Sequence, residues 1–250
     1  MFKAVTKDPR LIRDSIDTIS QLIDDGLFKL KKDGIELLAA DRATVSVVDF
    51  KLKSSAFSEY ECDEKKEMGV NLLNLLTVLK RSGASDKLTL DLNEKESKLE
   101  IVLEGDTTRK FAIPLIDISR REIPEIGQLE FPGLVEIKSN VLEQGINDAD
   151  IIADSAVIET SPDEFRMYAE GNSSKSELRI KKGNYVLPNL ASKEKISSRY
   201  SLEYLKKMIK GSRIADNVKI LIGKDFPMKM EFKGENASLA IILAPRVSEE

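Results

Sequence analysis

The feature of this sequence that most constrains its fold is an internal repeat with an offset of 130 residues. Residues 71–92, NLLNLLTVLKRSGASDKLTLDL, align without a gap to residues 201–222, SLEYLKKMIKGSRIADNVKILI, and Lys80 coincides with Lys210. The same offset relates apolar residues nearer the N-terminus, where Ile12, Ile16 and Ile19 correspond to Leu142, Ile146 and Ala149. Because chance is a poor explanation for a gapless match of this length, the two halves are predicted to share one fold.

Each half shows the order helix, strands, helix, strands. Residues 8–23 carry apolar side chains at helical spacing, with Asp8 as the N-cap and Pro9 at the first helical position. A second helix is predicted over residues 72–81, and Gly83 is predicted to end it. The corresponding helices of the second half are predicted at 140–153 and 201–210.

Segments that alternate between apolar and polar residues are predicted as strands of antiparallel sheets. The strands predicted in the first half cover 28–30, 35–38, 45–52, 56–61, 88–92, 99–103 and 109–114, and Asp33-Gly34 is predicted to close a hairpin. Those of the second half cover 156–160, 165–169, 177–181, 218–223, 227–233 and 238–243. The chain is therefore predicted to be an α+β protein with two duplicated domains, each with two helices packed on antiparallel sheets.

The segment between the halves has the composition of a connector. Residues 117–133, DISRREIPEIGQLEFPG, combine prolines, glycines and acidic residues. We therefore predict an N-terminal domain over residues 1–116, a connector over 117–133 and a C-terminal domain over 134–250.

The composition excludes most enzyme chemistries. The chain has no histidine and a single cysteine, Cys62, so nucleophile–histidine pairs and most zinc geometries are ruled out. Neither a P-loop nor a dinucleotide-binding glycine motif occurs. No catalytic residue, metal or cofactor is predicted. No signal peptide is expected, and no apolar run approaches the roughly 18 residues of a membrane span, so no membrane partner is expected.

The edges of the predicted sheets constrain the assembly. A half with two helices on one face of a sheet must protect its edge strands from unwanted pairing. Head-to-tail pairing with further copies would protect them and, where the rotation closes, would form a ring. The net charge of −4 means that contact with DNA requires positive charge gathered on one surface.

The chain also contains, in this order, KKDGIELLAADRATVSVVDF (31–50), YECDEKKEMGVNLLNLLTVLKRSG (60–83), FAIPLIDIS (111–119), FPMKMEF (226–232) and LAPRVSEE (243–250). These segments resemble the proliferating cell nuclear antigen family of DNA sliding clamps, especially its archaeal members. The resemblance implies the DNA clamp fold and a homotrimeric closed ring, with sheets as the outer wall and helices around double-stranded DNA. It implies a non-enzymatic processivity factor that tethers DNA polymerase, the clamp loader, and nuclease and ligase clients through short peptide motifs. It also implies a cytoplasmic, nucleoid-associated protein in an archaeon, or a nuclear one in a eukaryote.

Helices that line a DNA channel should bury an apolar face and present a basic one. In the helix at 201–210, Leu202, Leu205 and Ile209 form the apolar stripe beside a cluster of basic residues. Contacts with phosphates would position the protein without reading sequence, and they would weaken with salt. The residues predicted to face DNA are Arg10, Arg13, Lys80, Arg81, Lys206, Lys207, Lys210 and Arg213.

The helix at 140–153 departs from this pattern because it carries acidic residues and no Lys or Arg. Resemblance to archaeal clamps implies that its carboxylates pair with basic residues across the joint between subunits, with Arg81 and Arg109 as candidates. The residues predicted at the trimer interface are Arg81, Arg109, Glu143, Asp148 and Glu177.

The family resemblance also implies a pocket beside the connector that takes an anchor peptide from client proteins. Small apolar side chains beside a flexible loop suit such a peptide. Carried over by position, the pocket consists of Ala40, Thr44, Val45, Val47, Ile123, Pro124, Ile126, Pro227, Ile242, Leu243, Ala244 and Pro245.

Three alternatives stay open at this point. The chain could be a subunit of a heterotrimeric or checkpoint-type clamp with the same fold. It could be an unrelated two-repeat, β-rich binding protein, or an enzyme that uses carboxylates.

Overall fold

The computed structural model describes residues 1–119, 123 and 129–246, and these residues form two compact units. As far as they are described, the first unit comprises Met1–Thr44, Val48–Ile123 and Gly234–Leu239, and the second comprises Val45–Val47, Pro124–Lys233 and Ala240–Glu250. The boundaries predicted for the connector stay a prediction, because residues 120–122 and 124–128 lie outside the described part of the chain.

The first helix, α1 (Arg10–Ile19), turns its apolar stripe into the core of the first unit. The Asp8 carboxylate accepts a hydrogen bond from the backbone amide of Arg10 at 3.0 Å, the interaction expected of an N-cap, although the helix begins at Arg10. The helix predicted to residue 23 was too long. After Ile19 the chain forms a tight turn that keeps Ile23 buried, so the apolar spacing continued beyond the helix.

The second helix, α2 (Leu72–Leu79), begins at a side-chain cap, because the Asn71 side chain accepts a hydrogen bond from the Asn74 amide at 3.0 Å. The prediction that Gly83 ends this helix was wrong. The helix ends at Leu79, and the Gly83 amide donates instead to the Asp86 carboxylate at 2.8 Å. The buried side of α2 consists of Leu72, Leu75, Leu76 and Leu79.

The strands of the first half form antiparallel ladders in two orders, β5–β1–β7–β8–β9 and β4–β3–β2–β6. They are β1 (Phe2–Thr6), β2 (Asp25–Lys31), β3 (Gly34–Ala40), β4 (Ser46–Lys53), β5 (Glu59–Cys62), β6 (Lys66–Asn71), β7 (Lys87–Asn93), β8 (Lys98–Glu104) and β9 (Thr108–Pro114). Strand β9 is the last strand of its ladder, so one of its sides has no neighbouring strand within the described first unit.

The hairpin between β2 and β3 turns one residue earlier than predicted. Lys31 pairs with Gly34, so Lys32 and Asp33 form the turn. Gly34 has φ +147°, and a Cβ there would lie 2.1 Å from the Leu52 carbonyl oxygen. This close approach of two backbones is the reason that the position requires glycine.

The second unit repeats the two-helix arrangement with α3 (Ser139–Asp150) and α4 (Leu202–Met208). A 3₁₀ turn, Ile209–Arg213, continues α4, so the helix predicted over 201–210 is shorter in its α-helical part. A Cβ on Gly145 of α3 would lie 2.6 Å from the Leu178 side chain, so glycine lets α3 pack closely on the neighbouring sheet.

The strands of the second half also form antiparallel ladders, in the orders β13–β12–β11–β15 and β14–β10–β16–β17–β18. They are β10 (Gly133–Lys138), β11 (Ser155–Thr160), β12 (Glu164–Glu170), β13 (Lys175–Lys181), β14 (Asn189–Ser192), β15 (Ile196–Ser201), β16 (Asn217–Ile222), β17 (Met228–Lys233) and β18 (Ala237–Leu243). Strand β13, like β9 in the first unit, is the last strand of its ladder among the described residues. None of the helices formed by described residues is both long and apolar enough to span a membrane.

Candidate nucleic-acid interface and partner surfaces

Helix α4 separates an apolar face from a basic one, as the sequence predicted. Leu202, Leu205 and Met208 are completely buried. The side chains of Lys206 and Lys210 are 46% and 44% exposed, so the basic face is accessible to solvent. The accessible basic residues of α4 and its 3₁₀ turn are Lys206, Lys207, Lys210 and Arg213.

Three of these lysines contact carboxylates of their own unit. The Lys206 ammonium lies 2.5 Å from Asp150 of α3, and the Lys207 ammonium lies 2.7 Å from Glu203 one turn earlier. The hydrogen bond from Lys207 lowers the pKa of the Glu203 carboxyl below its usual value. The third pair joins Lys210 to Glu143 at 3.3 Å.

Three of the basic residues predicted on the helices of the first unit are also paired with carboxylates. Arg10 contacts Asp8 at 2.7 Å, and this hydrogen bond lowers the pKa of the Asp8 carboxyl. Arg13 contacts its neighbour Asp14 at 3.1 Å. The remaining ion pair joins Lys80, at the end of α2, to Asp17 of α1 at 2.9 Å.

Several of the residues predicted to face DNA therefore have a carboxylate partner: Arg10, Arg13, Lys80, Lys206, Lys207 and Lys210. Only the partners close in sequence, Asp8, Asp14 and Glu203, were within reach of sequence reasoning. The pairs between helices required the relative placement of α1 with α2 and of α3 with α4, which side-chain spacing along one helix does not contain.

The residues predicted at the trimer interface belong to different units of the chain and have different neighbours. In the first unit, Arg109 of β9 donates to the Asp86 carboxylate and to the Arg81 carbonyl oxygen, so Arg109 and Arg81 lie together. In the second unit, Asp148 is exposed on α3, and Glu143 contacts Lys210 as described above.

Glu177, on the edge strand β13, belongs to a local ion-pair network. Its carboxylate accepts hydrogen bonds from Arg166 at 2.5 Å and from Arg179 at 3.0 Å. The hydrogen bond from Arg166 is the main reason that the pKa of the Glu177 carboxyl lies below its usual value. Glu177 thus already has cationic partners in its own sheet.

A groove of about 470 Å³ in the first unit brings two of the predicted pocket residues, Ala40 and Ile123, together. Leu38, which is 39% exposed, also lines the groove, and the prediction missed it. Thr44 is exposed, and its φ of 56° is uncommon for a β-branched residue. The other residues that line the groove are Ile23, Asp24, Asp25, Leu27, Lys29, Ala39, Asp41, Arg42, Ile116, Asp117, Ile118 and Ser119.

The predicted pocket residues of the second unit differ in their exposure. Val45 accepts a hydrogen bond from the Ala244 amide at 2.9 Å, and both residues are partly exposed. Pro227 and Pro245 are also partly exposed. Val47, Ile242 and Leu243 are buried, so a peptide would contact them only if their neighbours moved. Pro124 and Ile126 lie outside the described residues.

Within the described ranges, no group of three or more His, Cys, Asp or Glu side chains is placed to hold a metal ion. The ammonium and guanidinium groups on the exposed face of α4 suit contacts with phosphates.

Comparison with solved structures agrees with the described fold. The structure of PCNA from Thermococcus kodakaraensis superposes with a TM-score of 0.91 at 28% identity, covering 98% of this chain and 100% of that one. That of the Proliferating Cellular Nuclear Antigen from Entamoeba histolytica superposes with a TM-score of 0.90 at 26% identity, covering 98% and 99%.

Comparison of sequences extends over the whole chain. A DNA polymerase sliding clamp of Pyrococcus furiosus is 37% identical over 249 residues, which cover 99% of this chain and 99% of that protein. DNA polymerase sliding clamp 1 of Thermococcus kodakarensis is 36% identical with the same coverage. The family models for the N-terminal and C-terminal domains of proliferating cell nuclear antigen match residues 1–122 and 123–247. The chain thus belongs to the proliferating cell nuclear antigen family, as the sequence segments indicated.

Proposed function

We propose that this chain is a DNA sliding clamp: a closed homotrimeric ring that encircles double-stranded DNA and tethers DNA polymerase to it. The observation that carries the proposal is the basic face of α4 in a chain whose full-length relatives are DNA polymerase sliding clamps. The protein performs no chemistry itself in this proposal, and its binding surfaces account for its whole activity.

The basic residues of the helices suit contact with DNA of any sequence. Ammonium and guanidinium groups bind phosphate oxygens, which position a protein on the duplex but do not report the bases. Each contact releases condensed counterions, so the contacts weaken as salt rises. Weak contacts are sufficient for a ring, because topological closure keeps it on the DNA while it slides.

The two edge strands support closure of the ring. β9 and β13 are each seven residues long, and each ends a ladder with one side open among the described residues. We propose that β9 of one copy pairs with β13 of the next, which protects both edges and repeats head to tail. The residues proposed at this joint are Arg81, Arg109, Glu143, Asp148 and Glu177.

Client proteins, among them the polymerase, the clamp loader, nucleases and ligases, are proposed to bind through short peptides beside the connector at 117–133. Ala40 and Ile123 line the groove of the first unit, which has the size of a peptide anchor site. Its mixture of apolar side chains and carboxylates fits an apolar anchor flanked by polar residues.

Reversing the charge of Glu143 is expected to loosen the trimer. In the present structure the Lys210 ammonium lies 3.3 Å from the Glu143 carboxylate. Glu143→Lys would place a second ammonium beside Lys210 and would remove a carboxylate proposed to face Arg81 or Arg109 of the next copy. We expect the dissociation constant for assembly to rise by about tenfold or more, as for loss of one interfacial charge pair. Sedimentation velocity across micromolar concentrations measures this dissociation constant. Glu203→Lys, on the exposed face of α4, is the matched charge reversal and should assemble normally. Equal assembly of the two variants would show that Glu143 does not act at the joint between subunits.

The proposed function is tested by the size of the purified chain and by primer extension. A trimer that threads over open-ended linear duplex and lengthens the products of a cognate polymerase supports the proposal. A chain that stays monomeric at all concentrations, or one that leaves product length unchanged, contradicts it. Closing the duplex ends with bulky blocks is the control, since only a ring loses access to such DNA without a loader.

A further inference from the structure

In both units, lysines that follow or belong to the second helix are held by carboxylates of the first helix. Because these lysines are proposed to face DNA, a phosphate that binds one of them must first displace its carboxylate partner. The pairs are Lys80 with Asp17 at 2.9 Å, Lys206 with Asp150 at 2.5 Å, and Lys210 with Glu143 at 3.3 Å.

The two units reach this pairing through different residues. Lys80 and Lys210 occupy equivalent positions of the internal repeat. Their partners do not: the position equivalent to Asp17 is the uncharged Asn147 in the second half, and the position equivalent to Glu143 is the basic Arg13 in the first half. The pairing is therefore not a residue-by-residue copy left by duplication, since each unit places a carboxylate beside its lysine in its own way.

The exposure of the partners shows which of them can move. The three lysine side chains are 44–56% exposed, whereas the three carboxylate side chains are 16–35% exposed. The carboxylates are thus fixed near the helix surface, and the longer lysines can swing toward a phosphate without any change in the backbone.

We propose that these carboxylates restrain the affinity of the clamp for DNA, because a phosphate gains each lysine only by displacing its carboxylate partner. This inference rests on the proposed function. A lysine that leaves a carboxylate exchanges one ion pair for another, and the carboxylate left behind repels the phosphate or takes up a cation. The net release of counterions per contact then falls below the value for an unpaired lysine, for which log K changes by about 0.9 per log salt.

The restraint has a functional consequence. A ring that is held by topology needs contacts weak enough to break at every step along the duplex. Self-pairing supplies that weakness without removing the positive charges that guide the duplex into the ring. The carboxylates of α1 and α3 thus set how fast the clamp slides, and the lysines decide where the DNA lies.

The test removes the negative charge of two of the carboxylates with substitutions that keep the shape of the side chains. Asp17→Asn with Asp150→Asn changes one pair in each unit, and Glu143 is left unaltered because it is proposed to act in assembly. The matched control is Glu94→Gln with Glu96→Gln, which makes the same change in net charge beside Lys66 and Lys98, on a turn between β7 and β8. Binding of trimeric protein to a labelled open-ended duplex is measured by anisotropy from ~50 to ~200 mM salt.

The expected result is that the Asp17→Asn, Asp150→Asn ring binds about 3- to 10-fold more tightly at the low-salt end, with a salt slope steeper by about 0.9 or more. The control should match the wild type. Equal affinity and slope in the wild type and the helix variant would overturn the inference while the proposed function stands. An equal gain in the control would overturn it as well, because net charge alone would then explain the effect. A wild-type trimer that does not associate with DNA would instead defeat the proposed function and this inference with it.

A second measurement keeps the inference testable if Asp17→Asn lowers the stability of α1. Asp150→Asn alone changes the more exposed carboxylate and is combined with Lys206→Gln. Removing Lys206 should lower DNA affinity more in the Asp150→Asn background than in the wild type, since only there is the lysine unpaired. Equal losses in the two backgrounds would show that Asp150 does not restrain Lys206.

Discussion

Replacing Lys206, Lys207, Lys210 and Arg213 by glutamine is expected to lower the affinity of the trimer for duplex DNA by about 100-fold at ~50 mM salt. The four side chains form the basic face of α4 and its 3₁₀ turn, opposite a completely buried apolar stripe. Glutamine keeps most of the length of each side chain and removes the charge. Because each lost phosphate contact reduces the salt slope by up to ~0.9, the slope should flatten together with the affinity. Anisotropy with an open-ended duplex over a salt series gives both quantities.

Four exposed lysines in turns supply a control with the same loss of charge. They are Lys32, Lys95, Lys193 and Lys224. Their replacement by glutamine should change DNA affinity by less than threefold or so, since charges beyond a Debye length of ~10 Å are screened. If the two quadruple variants lose affinity equally, long-range charge and not the α4 surface binds DNA. Sedimentation must show that both remain trimeric.

Replacing Ile126 and Pro245 by alanine is expected to weaken binding of a client peptide by 100-fold or more and to leave the trimer intact. The family resemblance assigns both residues to the client pocket, and Pro245 is partly exposed next to Ala244, whose amide bonds to Val45. Anchors of such interfaces typically contribute about 2–4 kcal/mol each, because they exclude water from the centre of the contact. Calorimetric titration with a cognate polymerase peptide measures the loss, and primer extension should lose stimulation to the same degree.

Leu73 and Ile151 provide the matched pair of apolar-to-alanine changes. Their side chains are large and 65% and 83% exposed, and they belong to the helix regions rather than to the proposed pocket. Their replacement should leave peptide affinity and polymerase stimulation within twofold or so of the wild type, as exposed apolar side chains away from an interface core contribute little. Normal stimulation by the Ile126→Ala, Pro245→Ala ring would contradict the pocket assignment.

The amphipathic spacing of the sequence predicted the helices and most strands, because burial of one face imposes a period on each element. The stripe of Leu202 and Leu205 placed α4, and alternation placed β7 and β8 within one residue of their observed ends. The ends of helices were less predictable. α1 ends before Ile23 although the apolar spacing continues, because a tight turn can bury the same side chain as a further helical turn.

The site residues implied by the family resemblance were predicted one at a time. The structure places only some of them close together in space. Ala40 and Ile123, which are far apart in sequence, share a groove that Leu38 of the same strand as Ala40 also lines. Arg109 and Arg81 lie together through a hydrogen bond from one side chain to the other backbone. Such groupings depend on strand register, which the identity of a single residue does not contain.

The repeat and the amphipathic periods are properties of the chain itself, and they were enough to indicate a duplicated α+β fold. The partners of the basic residues are a different kind of property. Lys80 meets Asp17, and Lys206 meets Asp150, because two helices pack side by side on a sheet. A charge interacts with what lies within a few ångströms of it in space, and packing rather than sequence distance sets that neighbourhood.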